Sequence, residues 1–117
     1  MNLSIYTPLA IEIVYPHHFD HIFHNHHVYI GGKISGAEGW EDYFKSAEFF
    51  VKTHNGFPVS PRILPPKMTQ EAYMDICFSL VRNCKVVLFL KNWKDSLGAV
   101  AEHAYAIKIE RTVLYEE

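Results

Sequence analysis

Long apolar runs are missing from this chain. No stretch reaches the roughly 18 residues that a membrane-crossing helix needs, so a membrane partner is not expected. A basic excess is missing too: Lys and Arg number 11 against 13 Asp and Glu, for a formal charge of −2. Nucleic-acid binders usually carry a basic stripe, and no polymer of that kind is expected as a partner. Cysteine is scarce, with only Cys77 and Cys84 and no C-x-x-C pair for metal or redox chemistry. On one helix, seven residues place them about 10 Å apart, whereas a disulfide needs Cα atoms within about 7 Å. Both are expected to be buried free thiols. Met1–Ala10 has no basic residue ahead of its apolar stretch and does not read as a signal peptide, so a cytoplasmic setting is expected. Repeats and low-complexity linkers are absent.

What is present is one domain's worth of chain: 117 residues, 49% hydrophobic and 21% charged. Such a length buries roughly two thirds of its unfolded surface. Composition changes near residue 27. Residues 1–27 hold six of the eight histidines and no Lys or Arg, and within them Ala10–Tyr15 reads as a short strand followed by loop. From residue 28 on, apolar strands alternate with amphipathic helices. Val28-Tyr29-Ile30 runs into Gly31-Gly32-Lys33-Ile34-Ser35-Gly36. Trp40, Tyr43, Phe44, Ala47, Phe50 and Val51 recur at helical spacing, and Gly56 is expected to supply the left-handed residue that ends this helix. Phe57–Ser60 is a proline-bearing edge strand and 61–67 a proline-rich loop. Thr69 caps a helix over 70–83. Val86–Leu90 is a strand buried on both faces. Asp95 or Ser96 caps a helix ending near Lys108, and Arg111–Tyr115 is the last strand.

This order predicts an α/β three-layer sandwich, with a mostly parallel, Rossmann- or flavodoxin-like sheet of four or five strands flanked by helices. The expected division is a His-rich extension over 1–27 and the α/β domain over 28–117. Ligands in such sheets sit beyond the carboxyl ends of the strands, which selects the loops Gly31–Gly36 and Asn92–Ser96. Ser96 and Gly98 lie in the first turn of a helix, where free N–H groups favour an anion. Glu102 follows Gly98 by four residues on the same face, amid Ala99, Ala101, Ala104 and Ala106.

The run from Trp93 to Glu102, W-x-D-S-x-G-A-x-x-E, together with the glycine loop after the first parallel strand, resembles the nucleoside 2-deoxyribosyltransferase-like superfamily. It is most similar to the small members grouped as DUF4406. The resemblance spans about residues 28–115, and Lys33 stands where the loop of those proteins has proline. It implies that Glu102 is the nucleophile at C1′ of a nucleoside or nucleotide. It offers Asp75 and Asp95 as proton donors to the leaving base, and Tyr29 as the residue orienting the carboxylate. Gly31, Gly32, Ser35, Gly36, Ser96 and Gly98 would hold the sugar or a 5′-phosphate. The chemistry is coherent, because a carboxylate stabilises or captures the oxocarbenium-like centre that glycosidic cleavage creates. The implied activity is N-glycosidic cleavage or deoxyribosyl transfer, with a non-catalytic nucleotide-binding or sensing module as the alternative on the same fold.

No cofactor is expected. The histidines at 17, 18, 21, 24, 26 and 27 lack the carboxylate or cysteine neighbours of a defined metal site, so no metal is assigned to them. The aromatic residues Trp40, Tyr43, Phe44, Phe49 and Phe50 exceed what one inward stripe needs, and a homodimer or larger homo-oligomer is expected from them. His103 points about 100° away from Glu102 around the helix and is not expected to be its partner.

Overall fold

A computed structural model describes all 117 residues. Its elements are β1 Leu3–Tyr6, β2 Ile11–Val14, α1 Phe19–Phe23, β3 His27–Gly31, α2 Trp40–Thr53, β4 Phe57–Val59, α3 Gln70–Arg82, β5 Val86–Phe89, α4 Leu97–Lys108 and β6 Thr112–Glu116. The sheet has six strands in the order β2-β1-β6-β5-β3-β4. β3, β4, β5 and β6 are parallel, while β1 runs antiparallel to both β2 and β6. The three-layer α/β sandwich is therefore present, with more strands than the sequence pattern suggests.

Alternation along the strands sorts the core into two halves. Val28 and Ile30 of β3, Val86 and Leu88 of β5, and Leu114 of β6 meet Phe44, Ala47 and Val51 of α2 and Phe19 and Phe23 of α1. Tyr29, Val87, Phe89, Val113 and Tyr115 point the other way, to Cys77 and Val81 of α3 and Ala106 of α4. Each fully buried large apolar side chain contributes roughly 1.5–3 kcal/mol. β3 and β5 are covered on both faces, as their unbroken apolar runs require.

Residues 1–27 do more than add a strand and a loop. Leu3–Tyr6 pairs with Ile11–Val14 through a turn in which the Thr7 N–H donates to the Ala10 carbonyl (2.9 Å). The reading of 16–27 as loop is also corrected. Pro16–His18 forms a 3-10 turn and Phe19–Phe23 a short helix, because Phe19 and Phe23 are one helical turn apart and both are buried. No group of three or more His, Cys, Asp or Glu is placed to hold a metal ion.

Two further expectations are revised. Asn55, with φ 65°, takes the left-handed position after α2, and Gly56 does not. A Cβ on Gly56 would lie 2.8 Å from Val51 Cγ1 and 3.1 Å from the Phe23 carbonyl, so glycine is required there for close approach. The aromatic surplus of α2 is mostly absorbed by the core: Trp40, Tyr43 and Phe50 pack against it, and Phe49 alone is largely exposed. Cys77 and Cys84 are buried free thiols. No helix is long and apolar enough to cross a membrane.

Gly56→Ala is expected to lower stability by about 1–3 kcal/mol in urea unfolding, the usual range for overpacking a closed position.

Candidate functional site

The parallel strands are laid down outward from β3 to β4, then back past β3 to β5 and β6. The chain reverses direction between β3 and β5, and the loops leaving these two neighbours diverge. A cleft of about 700 Å³ opens there. One wall is Gly32–Ser35 with the start of α2, another is the proline-rich segment around Leu64–Met68, and a third is Asp95–Ala99. Glu102 of α4 and Tyr73 and Met74 of α3 also line it.

Glu102 is 4% exposed. The register of β3 turns Tyr29 toward α4, and its hydroxyl donates to Glu102 Oε2 at 2.6 Å. Burial pushes the Glu102 carboxyl up from 4.5 to about 7, while hydrogen bonds from Tyr29 and Cys77 pull it back. The Tyr29 phenol is raised well above its usual range, first by burial and then by the Glu102 charge. Burial likewise moves the Cys77 thiol up to about 11. The group is thus a buried carboxyl with a donor on one oxygen, lining the cleft.

Gly31 lies under this carboxyl: a Cβ there would come within 2.9 Å of Phe89 Cε1 and 3.4 Å of Glu102 Oε1. A Cβ on Gly32 would lie 3.2 Å from Leu90 and Phe44 atoms, and Gly32 lines the cleft, as do Ser35, Ser96 and Gly98. Ser96, rather than Asp95, caps α4, its Oγ accepting from the Ala99 N–H (3.2 Å). Asp95 is exposed on the cleft wall. Two proposed residues lie elsewhere. Asp75 is exposed on α3 outside the cleft lining, and Gly36, with φ +74°, has open space around it and serves the turn before α2.

His103 is bound away from Glu102. Its Nε2 and the Tyr115 hydroxyl are 2.6 Å apart, and its ring stacks on Trp93 at 4.3 Å. Trp93 also lies against Phe89 at 5.4 Å and fastens the loop before α4 to the sheet.

Sequence reasoning passed over two parts of the site. Arg62, Lys67 and Met68 come from the loop after β4, which the rule for carboxyl ends would also have selected had it been applied to that strand. Arg62 is held by Glu48, with Nε to Oε2 at 2.7 Å and Nη2 to Oε1 at 2.9 Å. The other omission is the contact made by Asn92, whose loop the rule for carboxyl ends selects. Its side-chain oxygen accepts from the Lys33 N–H (3.1 Å) and ties the loop after β5 to the loop after β3. No local pattern marks an asparagine for a contact 59 residues away.

Comparison with known proteins bears on this fold. A family model described as "Domain of unknown function (DUF4406)" matches residues 26–115. A solved structure described as a 2-desoxiribosyltransferase from Leishmania mexicana superposes with a TM-score of 0.62 at 16% identity. The match covers 76% of this chain and 62% of that one, so the chain spans under two thirds of that protein's length. At this identity the likeness is one of fold. None of the curated proteins matches the sequence.

Because the folded carboxyl of Glu102 holds its proton more tightly than the unfolded one, its contribution is complete below pH 4.5 and is lost as pH rises through about 7. Glu102→Gln is therefore expected to gain stability relative to the parent across that window, by on the order of 3 kcal/mol at the plateau, in urea unfolding at a series of pH values. Asn92→Ala leaves a half-buried N–H without its partner, and is expected to cost about 1–2 kcal/mol in the same assay.

Proposed function

We propose that this chain, which belongs to the DUF4406 family, acts on nucleosides or nucleotides by cleaving the N-glycosidic bond or transferring the deoxyribosyl group, with Glu102 as nucleophile. The observation that carries this reading is a buried carboxyl, held by the Tyr29 hydroxyl, at the floor of a cleft over the carboxyl ends of parallel strands. The fold shared with a 2-desoxiribosyltransferase supports it.

In the proposed reaction the ionised Glu102 oxygen forms a bond to C1′ as the C1′–N bond breaks. The electron pair leaves with the base, which takes a proton from Asp95 or from water. Water or a second base then attacks C1′ and releases Glu102. Tyr29 holds the non-attacking oxygen and keeps the carboxylate in one orientation. The unpaired N–H groups at the start of α4, beside Ser96 and Gly98, favour the anionic or hydroxyl-bearing end of the ligand. Asp75 lies outside the cleft, so this reading gives the acid role to Asp95. The setting proposed is cytoplasmic, consistent with two buried free thiols.

One observation favours a second reading. A carboxyl raised to about 7 is substantially protonated near neutrality, and in that state it donates a hydrogen bond instead of attacking. A nucleotide-binding module would use Glu102 in this way.

Chromatographic detection of free base, over a panel of ribo- and deoxynucleosides and their 5′-phosphates with and without an acceptor base, tests the choice. Base release is expected, with kcat/KM rising as pH passes through about 7. Glu102→Ala is expected to lower the rate by about a thousandfold or more. Absence of release from every substrate, combined with a nucleotide that raises Tm in the parent but not in Glu102→Ala, would establish the binding module instead.

A further inference from the structure

One face of β2 is bare, beside a buried Ser4 on β1. Ile11, Ile13 and the extended Tyr15 lie on the same side of β2 and are 60%, 70% and 60% exposed. On the opposite face Val14 and its β1 partner Leu3 are buried in the half-core under α1 and α2, while Glu12 is exposed. β2 is also an outer strand, hydrogen-bonded to β1 alone. The two ends of the sheet differ in how they meet solvent. β4 is three residues long and carries Pro58, which has no N–H to offer. β2 has neither proline nor lysine, and its single charge is Glu12.

We propose that β2 is a self-association edge, pairing antiparallel with β2 of a second copy across a two-fold axis perpendicular to the sheet. The Thr7–Ala10 bond at the turn sets which backbone groups are free. Alternation from that pair points the N–H and C=O of Glu12 and Val14 inward to β1, and those of Ile11 and Ile13 outward together with the Tyr15 N–H, the Tyr15 carbonyl accepting from the His18 N–H (2.9 Å). Directly opposed residues share a face, so the axis passes through a residue and not between two. An axis at Glu12 would oppose two carboxylates and leave Tyr15 without a strand partner. An axis at Ile13 opposes Ile13 to Ile13, Ile11 to Tyr15 and Glu12 to Val14. It uses the extended segment from 11 to 15, lets Ile13 exchange both backbone bonds with its copy and the Ile11 carbonyl accept from the opposed Tyr15 N–H, and joins the two bare apolar stripes. The contact is isologous and closes at two copies.

Sedimentation of the full chain over a concentration series reads the assembly, and a dimer is expected. Ile13→Lys places like charges at the axis and is expected to weaken dimerisation by about tenfold or more. Position 13 is exposed, so Tm and circular dichroism of the variant monomer should match those of the parent. Ile13→Cys brings two thiols together with Cα atoms about 5.5 Å apart, within disulfide reach. It is expected to cross-link on mild oxidation, whereas Ile11→Cys, opposite Tyr15, is not. A parent that stays monomeric at every concentration overturns the proposal, as does a dimer indifferent to Ile13→Lys. Cross-linking at position 11 as readily as at 13 overturns the register.

Discussion

A carboxyl group removed from water is the constraint around which this molecule is arranged. Glu102 sits on the inner face of α4, where desolvation disfavours its charge, and the Tyr29 hydroxyl is what offsets that penalty. Tyr29 can reach it only because β3 is buried on both faces. Val28 and Ile30 are committed to the α1/α2 side, so strand alternation sends Tyr29 to the other. Gly31, two residues along β3 on the same face, has to be without a side chain, since a Cβ would lie 2.9 Å from Phe89 Cε1. One face of β3, at the alternate positions 29 and 31, is thus fitted to a buried acid far away in sequence and to the Phe89 ring beside it.

The reversal of chain direction between β3 and β5 supplies the space above that acid. Had the strands been laid down in one direction only, α2 and α4 would share a face and their loops would close over the strand ends. Here α2 packs on one side and α3 and α4 on the other. Two polar ties keep the separated loops in register, the Asn92–Lys33 contact and the backbone bond from Leu90 N–H to the Gly31 carbonyl (2.8 Å). The stack of Trp93 on His103, itself bonded to Tyr115, fixes the third wall to the buried side of the sheet. The tryptophan of the W-x-D-S run is therefore a fastening and stands outside the cleft lining.

Much of this was legible in the chain because the signals are local. Apolar runs at Val28–Ile30 and Val86–Leu90, the caps Thr69 and Ser96, and the spacing of Gly98 and Glu102 all act within a few residues. What escaped was either too short or too distant. Leu3–Tyr6 is a four-residue strand whose pairing with β6 spans the length of the chain. Phe19 and Phe23 were masked by the histidines around them, although their spacing is that of a helical turn. Asn92 acquires its place only when the sheet is assembled. Asp75 shows the converse: a position suggested by likeness to other chains, which here faces solvent away from the cleft.

α4 carries both the free amide groups of its first turn and, one turn on, the buried carboxyl. A helix is stiff, so the spacing of these two features is set by its rise, about 6 Å along the axis between Gly98 and Glu102. The helix works as a molecular ruler. On the proposed reading, a ligand anchored at the amides would present to the carboxyl only an atom placed to match that fixed spacing. On the same reading, compounds too small to span the interval would occupy one feature or the other, but not both at once.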